Sequence, residues 1–226
     1  MHEVCATGTL NMLMAARAAG VRRLMYAGSS SAYGDAPELP KRESMLPEPR
    51  SPYAVAKLAG EHYCACFHIC FGFEAVTLRY FNVFGPRQDP NSPYSGVIAL
   101  FLRRLLAGET CTIYGDGETS RDFTYVDNVV QANLAAREAP AAPGHVYNVG
   151  NGARTTLTQL YQTLATMIPG APPPQYGPER TGDVRHSLAD LTAIERDLGY
   201  RPRVDLAAGL QATLDWQRRP ARSAAS

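Results

Sequence analysis

Val21-Arg22-Arg23-Leu24-Met25-Tyr26-Ala27-Gly28, closed by Ser29-Ser30-Ser31, reads as a short, mostly buried strand, and the two segments after it decide the fold. A polar, proline-rich connection (Gly34 to Pro52) leads to apolar residues at helical spacing from Tyr53 to about Phe71. A second strand pattern comes next, Ala75-Val76-Thr77-Leu78-Arg79-Tyr80-Phe81. Strand, helix and strand in that order predict an α/β protein with a parallel sheet and covering helices.

Before this unit, Gly8 to Ala19 carries Leu10, Leu13, Met14 and Ala18 at helical spacing, with Gly20 as a stop. After it the pattern predicts a loop at Gly85 to Gly96, a helix near Val97 to Ala107 and a short strand at Cys111 to Tyr114. A helix over Val126 to Arg137 and a strand at His145 to Val149 come next, then helices near Thr158 to Met167, Leu191 to Leu198 and Leu206 to Trp216. Pro169 to Pro178 is proline-dense and predicts an extended crossing segment.

The chain has 226 residues, 45% of them hydrophobic, enough to bury a substantial core. Its 22 basic and 21 acidic side chains nearly cancel and form no basic stripe, which argues against a nucleic-acid or membrane-surface partner. No stretch reads as a signal peptide or a membrane span, and the expected setting is the cytoplasm. The five cysteines do not read as a secreted disulfide framework. Cys64, Cys66 and Cys70 share a helical stretch with His62 and His68, but the spacing is not that of a zinc knuckle, so no metal site is expected.

Chemistry enters at Ser51-Pro52-Tyr53-Ala54-Val55-Ala56-Lys57, where a phenol and an ammonium stand four apart on one helix face. A phenol with a pKa of about 10 is a poor base at neutral pH, and a fixed cation beside it favours the phenolate. In an open parallel sheet ligands lie beyond the carboxyl ends of the strands, which is where Ser29 to Ser31 fall. A serine there can relay a proton between Tyr53 and a substrate hydroxyl.

These residues, with Gly8-Thr9-Leu10-Asn11, Leu78-Arg79-Tyr80-Phe81-Asn82-Val83-Phe84-Gly85, Gly115-Asp116-Gly117, Arg121-Asp122-Phe123-Thr124-Tyr125-Val126 and Gly182-Asp183-Val184-Arg185-His186-Ser187, carry a resemblance over nearly the whole chain. It resembles the extended short-chain dehydrogenase/reductases of the nucleotide-sugar epimerase branch, and most of all the bacterial UDP-N-acetylglucosamine 4-epimerases of surface-polysaccharide pathways.

The resemblance implies NAD as cofactor, a UDP-sugar as substrate and a Rossmann-like sheet. It makes Tyr53 the general acid/base, Lys57 its partner and ribose ligand, and Ser29 the active-site serine, with Ser30 able to share that role. Phe81 would border the nicotinamide and Asn82 hold the sugar diphosphate, while Thr112 to Tyr114 would lie at the uracil. Arg121 and Arg180 would clamp the phosphates, Asp183 would accept from the nucleoside ribose, and Ser187 would gate the sugar pocket, its small side chain admitting a 2-acetamido group.

The family also implies a homodimer through helices near 3–19 and 53–71. Residues 1–85 would be the remaining second half of the dinucleotide-binding domain. Residues 86–226 would be mainly substrate-binding, with about 118–150 returning to the first. No strand, glycine-rich turn and helix precede Gly8, so the cofactor-phosphate loop is expected upstream. Without such a part the strand at Val21 to Gly28 would be a sheet edge, with poor solubility and weak cofactor affinity expected. Gly150-Asn151-Gly152 resembles half of a phosphate fingerprint, but Thr156 and Gln159 make a capping box, so it reads as a helix-start turn.

The activity expected is 4-epimerisation through a transient 4-keto sugar. A dehydratase or decarboxylase is the rival within the enzyme class, disfavoured because Ser30, Ser31 and Ala32 include no carboxylate. A non-catalytic nucleotide-sugar binding module is the rival outside it.

Overall fold

A computed structural model of the chain describes residues 1–92, 96–179 and 184–219. A turn of π-helix, Glu3–Thr7, leads into α1 (Gly8–Ala18), and β1 (Arg23–Ser29) ends in a tight 3-10 turn, Ser30–Tyr33. After the proline-rich connection come α2 (Pro52–Phe71) and β2 (Glu74–Tyr80). Both ends of α2 are written in the sequence. The Ser51 hydroxyl accepts from the Ala54 amide at 3.1 Å, Pro52 occupies the first turn, and Gly72 takes the left-handed conformation at φ 63° that ends the helix.

Short β3 (Asn82–Phe84) precedes α3 (Val97–Leu106), β4 (Thr112–Tyr114), β5 (Ser120–Arg121), β6 (Phe123–Tyr125) and α4 (Val126–Glu138). The chain closes with β7 (Val146–Val149), β8 (Thr155–Thr156), α5 (Leu157–Met167), β9 (Gln175–Gly177), α6 (Thr192–Leu198) and α7 (Leu206–Gln217).

The parallel sheet runs β1-β2-β7, with Arg23 opposite Glu74 through Ser29 opposite Tyr80, and Thr77 opposite Val146. β2 is the middle strand, and its residues Ala75 to Arg79 are all buried, as a strand covered on both faces requires. Leu13, Tyr26, Cys64 and Phe67 pack beneath α1 and α2 on one side, while Val129, Ala132, Tyr147 and Ile194 pack beneath α4 and α6 on the other. β1 and β7 are the sheet's two edge strands among the described residues.

A second core joins α3, α5 and α7 through Phe101, Leu102, Leu160, Leu164, Leu210 and Leu214. Short pairs lie on its rim: β3 with β6 and β4 with β9, both parallel, and β5 with β8, antiparallel. The sequence pattern missed several of these strands. The expected crossing segment at Pro169 to Pro178 contains β9, whose Gln175 and Tyr176 are exposed, so backbone pairing rather than an apolar pattern holds it. The expected strand ending at Phe81 ends at Tyr80, and the chain then switches to β3, which pairs with β6 instead of continuing in the sheet.

α2 lies close on β1 at Gly60, where an added Cβ would overlap the Tyr26 hydroxyl and stand 3.1 Å from the Cys5 carbonyl oxygen. That hydroxyl donates to the Lys57 carbonyl at 3.0 Å, so it has no room to retreat. Gly60→Ala should therefore destabilise the fold by about 1–3 kcal/mol, although alanine gains about 1 kcal/mol over glycine inside a helix. Urea unfolding measures the balance; unchanged or increased stability would contradict the close approach.

Candidate active site

Beyond the carboxyl ends of β1 and β2, between the sheet and the second core, lies an open cleft of about 700 Å³. Ser29, Ser30 and Ser31 enter it from the end of β1, and Tyr53 and Lys57 from the first turns of α2. Phe81 and Asn82 line it where the chain leaves β2. Thr112 and Tyr114 of β4, Arg121 of β5 and Ser187 close the far wall. These segments span most of the sequence, and the cleft gathers every described residue that the sequence marked for chemistry. Arg180 and Asp183 lie outside the described residues.

The Lys57 ammonium donates to the Ala27 carbonyl at 3.0 Å, which anchors it at the carboxyl end of β1. The Ser29 and Ser31 hydroxyls are 2.8 Å apart, and the Ser31 amide donates to the Ser29 hydroxyl at 3.2 Å. Ser29 is thus tied to Ser31, a link the sequence reading, which paired Ser29 with Ser30, did not anticipate.

Tyr33 and Tyr53 both line the cleft, and burial separates them. Tyr33 is 1% exposed and its hydroxyl donates to Asn148 Oδ1 at 2.6 Å. Burial pushes its phenol up to about 12 in spite of Arg79. Tyr33 is a fixed donor. Tyr53, 38% exposed, presents a phenol that a ligand in the cleft can reach.

Sequence reasoning gave no role to Tyr33, Lys41 or His186, all of which line the cleft. Lys41 is buried, its ammonium donates to the Ala36 carbonyl, and burial lowers its pKa. His186 Nδ1 is 2.8 Å from the Ser120 hydroxyl. Burial, with Arg154, Arg185 and Arg121 adding to it, holds the imidazole below its ordinary pKa. Of those three arginines Arg121 lines the cleft, while Arg185 is paired with Asp116 and Glu179.

The fingerprint-like turn proves to serve an internal anion. Asp122 accepts from the amides of Asn151 at 2.7 Å, Gly152 at 3.0 Å and Ala189 at 3.1 Å. A Cβ on Gly150 would stand 2.7 Å from the same carboxylate, which is why glycine is needed there. The expected capping box is present, with Thr156 and Gln159 each accepting from the other's amide. On α2, Cys64 is buried while Cys66 and Cys70 are exposed with their sulfurs 3.8 Å apart. No group of three or more side chains that could hold a metal occurs among the described residues.

Residues 1–150 match the model of the NAD dependent epimerase/dehydratase family. The chain belongs to that family. It is 39% identical over 216 residues to a UDP-glucose 4-epimerase of Mycolicibacterium smegmatis, covering 95% of this chain and 68% of that one. The UDP-N-acetylglucosamine 4-epimerase of Methanobrevibacter ruminantium, solved with UDP-N-acetylmuramic acid, superposes with a TM-score of 0.89 at 38% identity, covering 93% of this chain and 67% of that chain. The UDP-glucose 4-epimerase of Thermotoga maritima, solved with UDP-glucose, gives 0.92 at 39% identity, covering 96% and 70%.

The family's cofactor is NAD, and the cleft has donors suited to its nicotinamide-ribose half. Lys57 and Tyr53 present an ammonium and a hydroxyl from one helix face, and the buried Phe81 offers an apolar floor. The amides of Asn151 and Gly152 are not available to its phosphates, because Asp122 takes them.

Burial holds the Asp122 carboxyl up at about 6 against its amide donors. The folded state then keeps a proton that the unfolded chain, with a carboxyl value of about 4, has already released. The contribution to stability is full below about pH 4 and declines as pH rises to about 6. Asp122→Ala leaves the buried Ala189 amide and the less buried Asn151 and Gly152 amides without their acceptor and should cost about 2 kcal/mol at pH 7. The gap from wild type should narrow as pH rises from about 4 to 7 in denaturant titrations; a gap that widens would contradict this assignment.

Proposed function

We propose that this chain carries the acid–base and substrate-binding machinery of a UDP-sugar 4-epimerase, with UDP-N-acetylhexosamines as preferred substrates. What supports this most is the convergence of Tyr53 and Lys57 with the serine turn in one cleft. In this reading Tyr53, as phenolate, removes the proton of the sugar 4-hydroxyl, and Lys57 holds the phenolate in its charged form. NAD, when bound, supplies the reversible hydride acceptor that lets C4 become a ketone. Ser29 carries the proton in the sugar orientation that Tyr53 cannot reach, because two epimers cannot present one hydroxyl identically to one phenol. Its 2.8 Å contact with Ser31 offers that relay a second hydroxyl.

Arg121 holds the diphosphate with its planar donors, at the end of the cleft that His186 also lines. Arg180 and Asp183 belong to the same reading, as diphosphate and ribose contacts. Thr112 and Tyr114 receive the uracil and Asn82 the diphosphate. Ser187, small and nearly buried in the cleft wall, leaves space for a 2-acetamido group. The serine turn continues with Ala32 and Tyr33 and carries no carboxylate, which favours reversible epimerisation over dehydration or decarboxylation.

In NAD-loaded protein, Tyr53→Phe should lower turnover by about 100-fold or more, with UDP-sugar affinity unchanged by calorimetry. Ser187→Tyr should reduce the rate with UDP-N-acetylglucosamine relative to UDP-glucose by about tenfold or more. Full turnover in the first would remove Tyr53 from its role, and an unchanged ratio in the second would reject the gate.

The same reading makes the chain a homodimer through α1 and α2. Their outer faces expose Met12, Met14, Val55, Ile69 and Phe71, more apolar surface than an isolated subunit needs. Sedimentation should give a dimer that Ile69→Asp converts to a monomer; a monomeric wild type would refute it.

A further inference from the structure

Arg79 brings a charge into the middle strand of the sheet, where its side chain is 3% exposed. Glu61 of α2, itself buried, meets it with two hydrogen bonds, Nε to Oε2 at 2.9 Å and Nη2 to Oε1 at 2.5 Å. Nη1 has no hydrogen-bond partner, and among the described residues it is the one such buried side-chain polar atom. The guanidinium carbon lies 4.7 Å from the centre of the Tyr33 ring, so the aromatic face takes the place of a missing acceptor. Tyr33 closes the 3-10 turn that contains Ser30 and Ser31, and its hydroxyl is fixed by Asn148 of β7.

Stability alone does not explain this arrangement. A buried ion pair is often no better for stability than two well-packed apolar side chains. Location is more informative. Tyr53, Lys57 and Glu61 stand at successive four-residue steps, so they share one stripe of α2. A fork that must meet a carboxylate in plane adds a directional constraint on the rotation of that helix about its axis, beyond what apolar packing sets. A phenol hydroxyl about 8 Å from the helix axis moves roughly 1.4 Å for a 10° rotation, and a misplacement of about 1 Å can cost about 100-fold in rate.

We propose that Arg79 and Glu61 are positioning residues: their pair sets the rotation of α2, and with it Tyr53 and Lys57, relative to the serine turn that Arg79 holds through Tyr33. This rests on the acid–base role proposed for Tyr53. The pair touches no substrate.

The test uses NAD-loaded full chain and the apolar double variant Arg79→Met/Glu61→Met, with Glu61→Gln as a near-isosteric second. The double variant should melt within a few degrees of wild type and keep KM within about threefold, yet lose about 30-fold or more in kcat. Glu61→Gln should lose kcat by about tenfold with KM unchanged, which covers the case where the double variant fails to fold. Amide exchange should quicken at residues 30–34 and not in α1. Wild-type kcat in a folded double variant, or in Glu61→Gln, would overturn the proposal. If Tyr53→Phe retains turnover, or wild type turns over no UDP-sugar, the functional reading fails. Exchange at residues 30–34 then decides the positioning role alone, and unchanged protection would end it.

Discussion

Helix α2 rests on β1 at a distance set by the missing side chain of Gly60, and most of the candidate site depends on that contact. The Tyr26 hydroxyl under the helix bonds the Lys57 carbonyl, while the Lys57 ammonium reaches the Ala27 carbonyl on the same strand. Two hydrogen bonds from opposite ends of one residue thus fix the height of the helix over the strand. With β1 and β2 paired in register from Arg23–Glu74 to Ser29–Tyr80, the serine turn and the exit from β2 arrive at the same edge. A phenol, an ammonium and two linked hydroxyls share one cleft as a consequence.

Charge is used in two ways around that cleft. Asp122 and the Arg79–Glu61 pair are buried and engaged within the protein, joining segments far apart in sequence. Arg121 and His186 face the cleft, where burial first, and nearby arginines second, hold the imidazole below its ordinary pKa. Burying a charge costs solvation that only good geometry returns, so the first group is a matter of close placement. The second is a matter of what arrives from solution.

Where side-chain pattern dictates structure, the sequence was legible. The α2 boundaries come from Ser51, Pro52 and Gly72, β2 from an apolar run buried on both faces, and the helix-start turn from Thr156 and Gln159. Where backbone pairing between distant short segments dictates it, the sequence was silent. β3, β6 and β9 carry little periodicity, and Gln175 and Tyr176 face solvent; β4 was expected as a strand, but not its pairing with β9. The resemblance carried by scattered motifs marked a set of site residues whose described members meet in the cleft, but it gave no hint of Tyr33 stacked on Arg79. Pairing within a core depends on which residues fold together, and no local spacing records that.

The most direct measurement is a crystal structure with NAD and a UDP-N-acetylhexosamine bound, read for the separation of Tyr53 Oη from the sugar 4-hydroxyl. Contact within about 2.6–3.2 Å, directly or through a serine hydroxyl of the turn, is the expected result. A sugar ring whose C4 points away from both, with Tyr53 facing solvent, would contradict it.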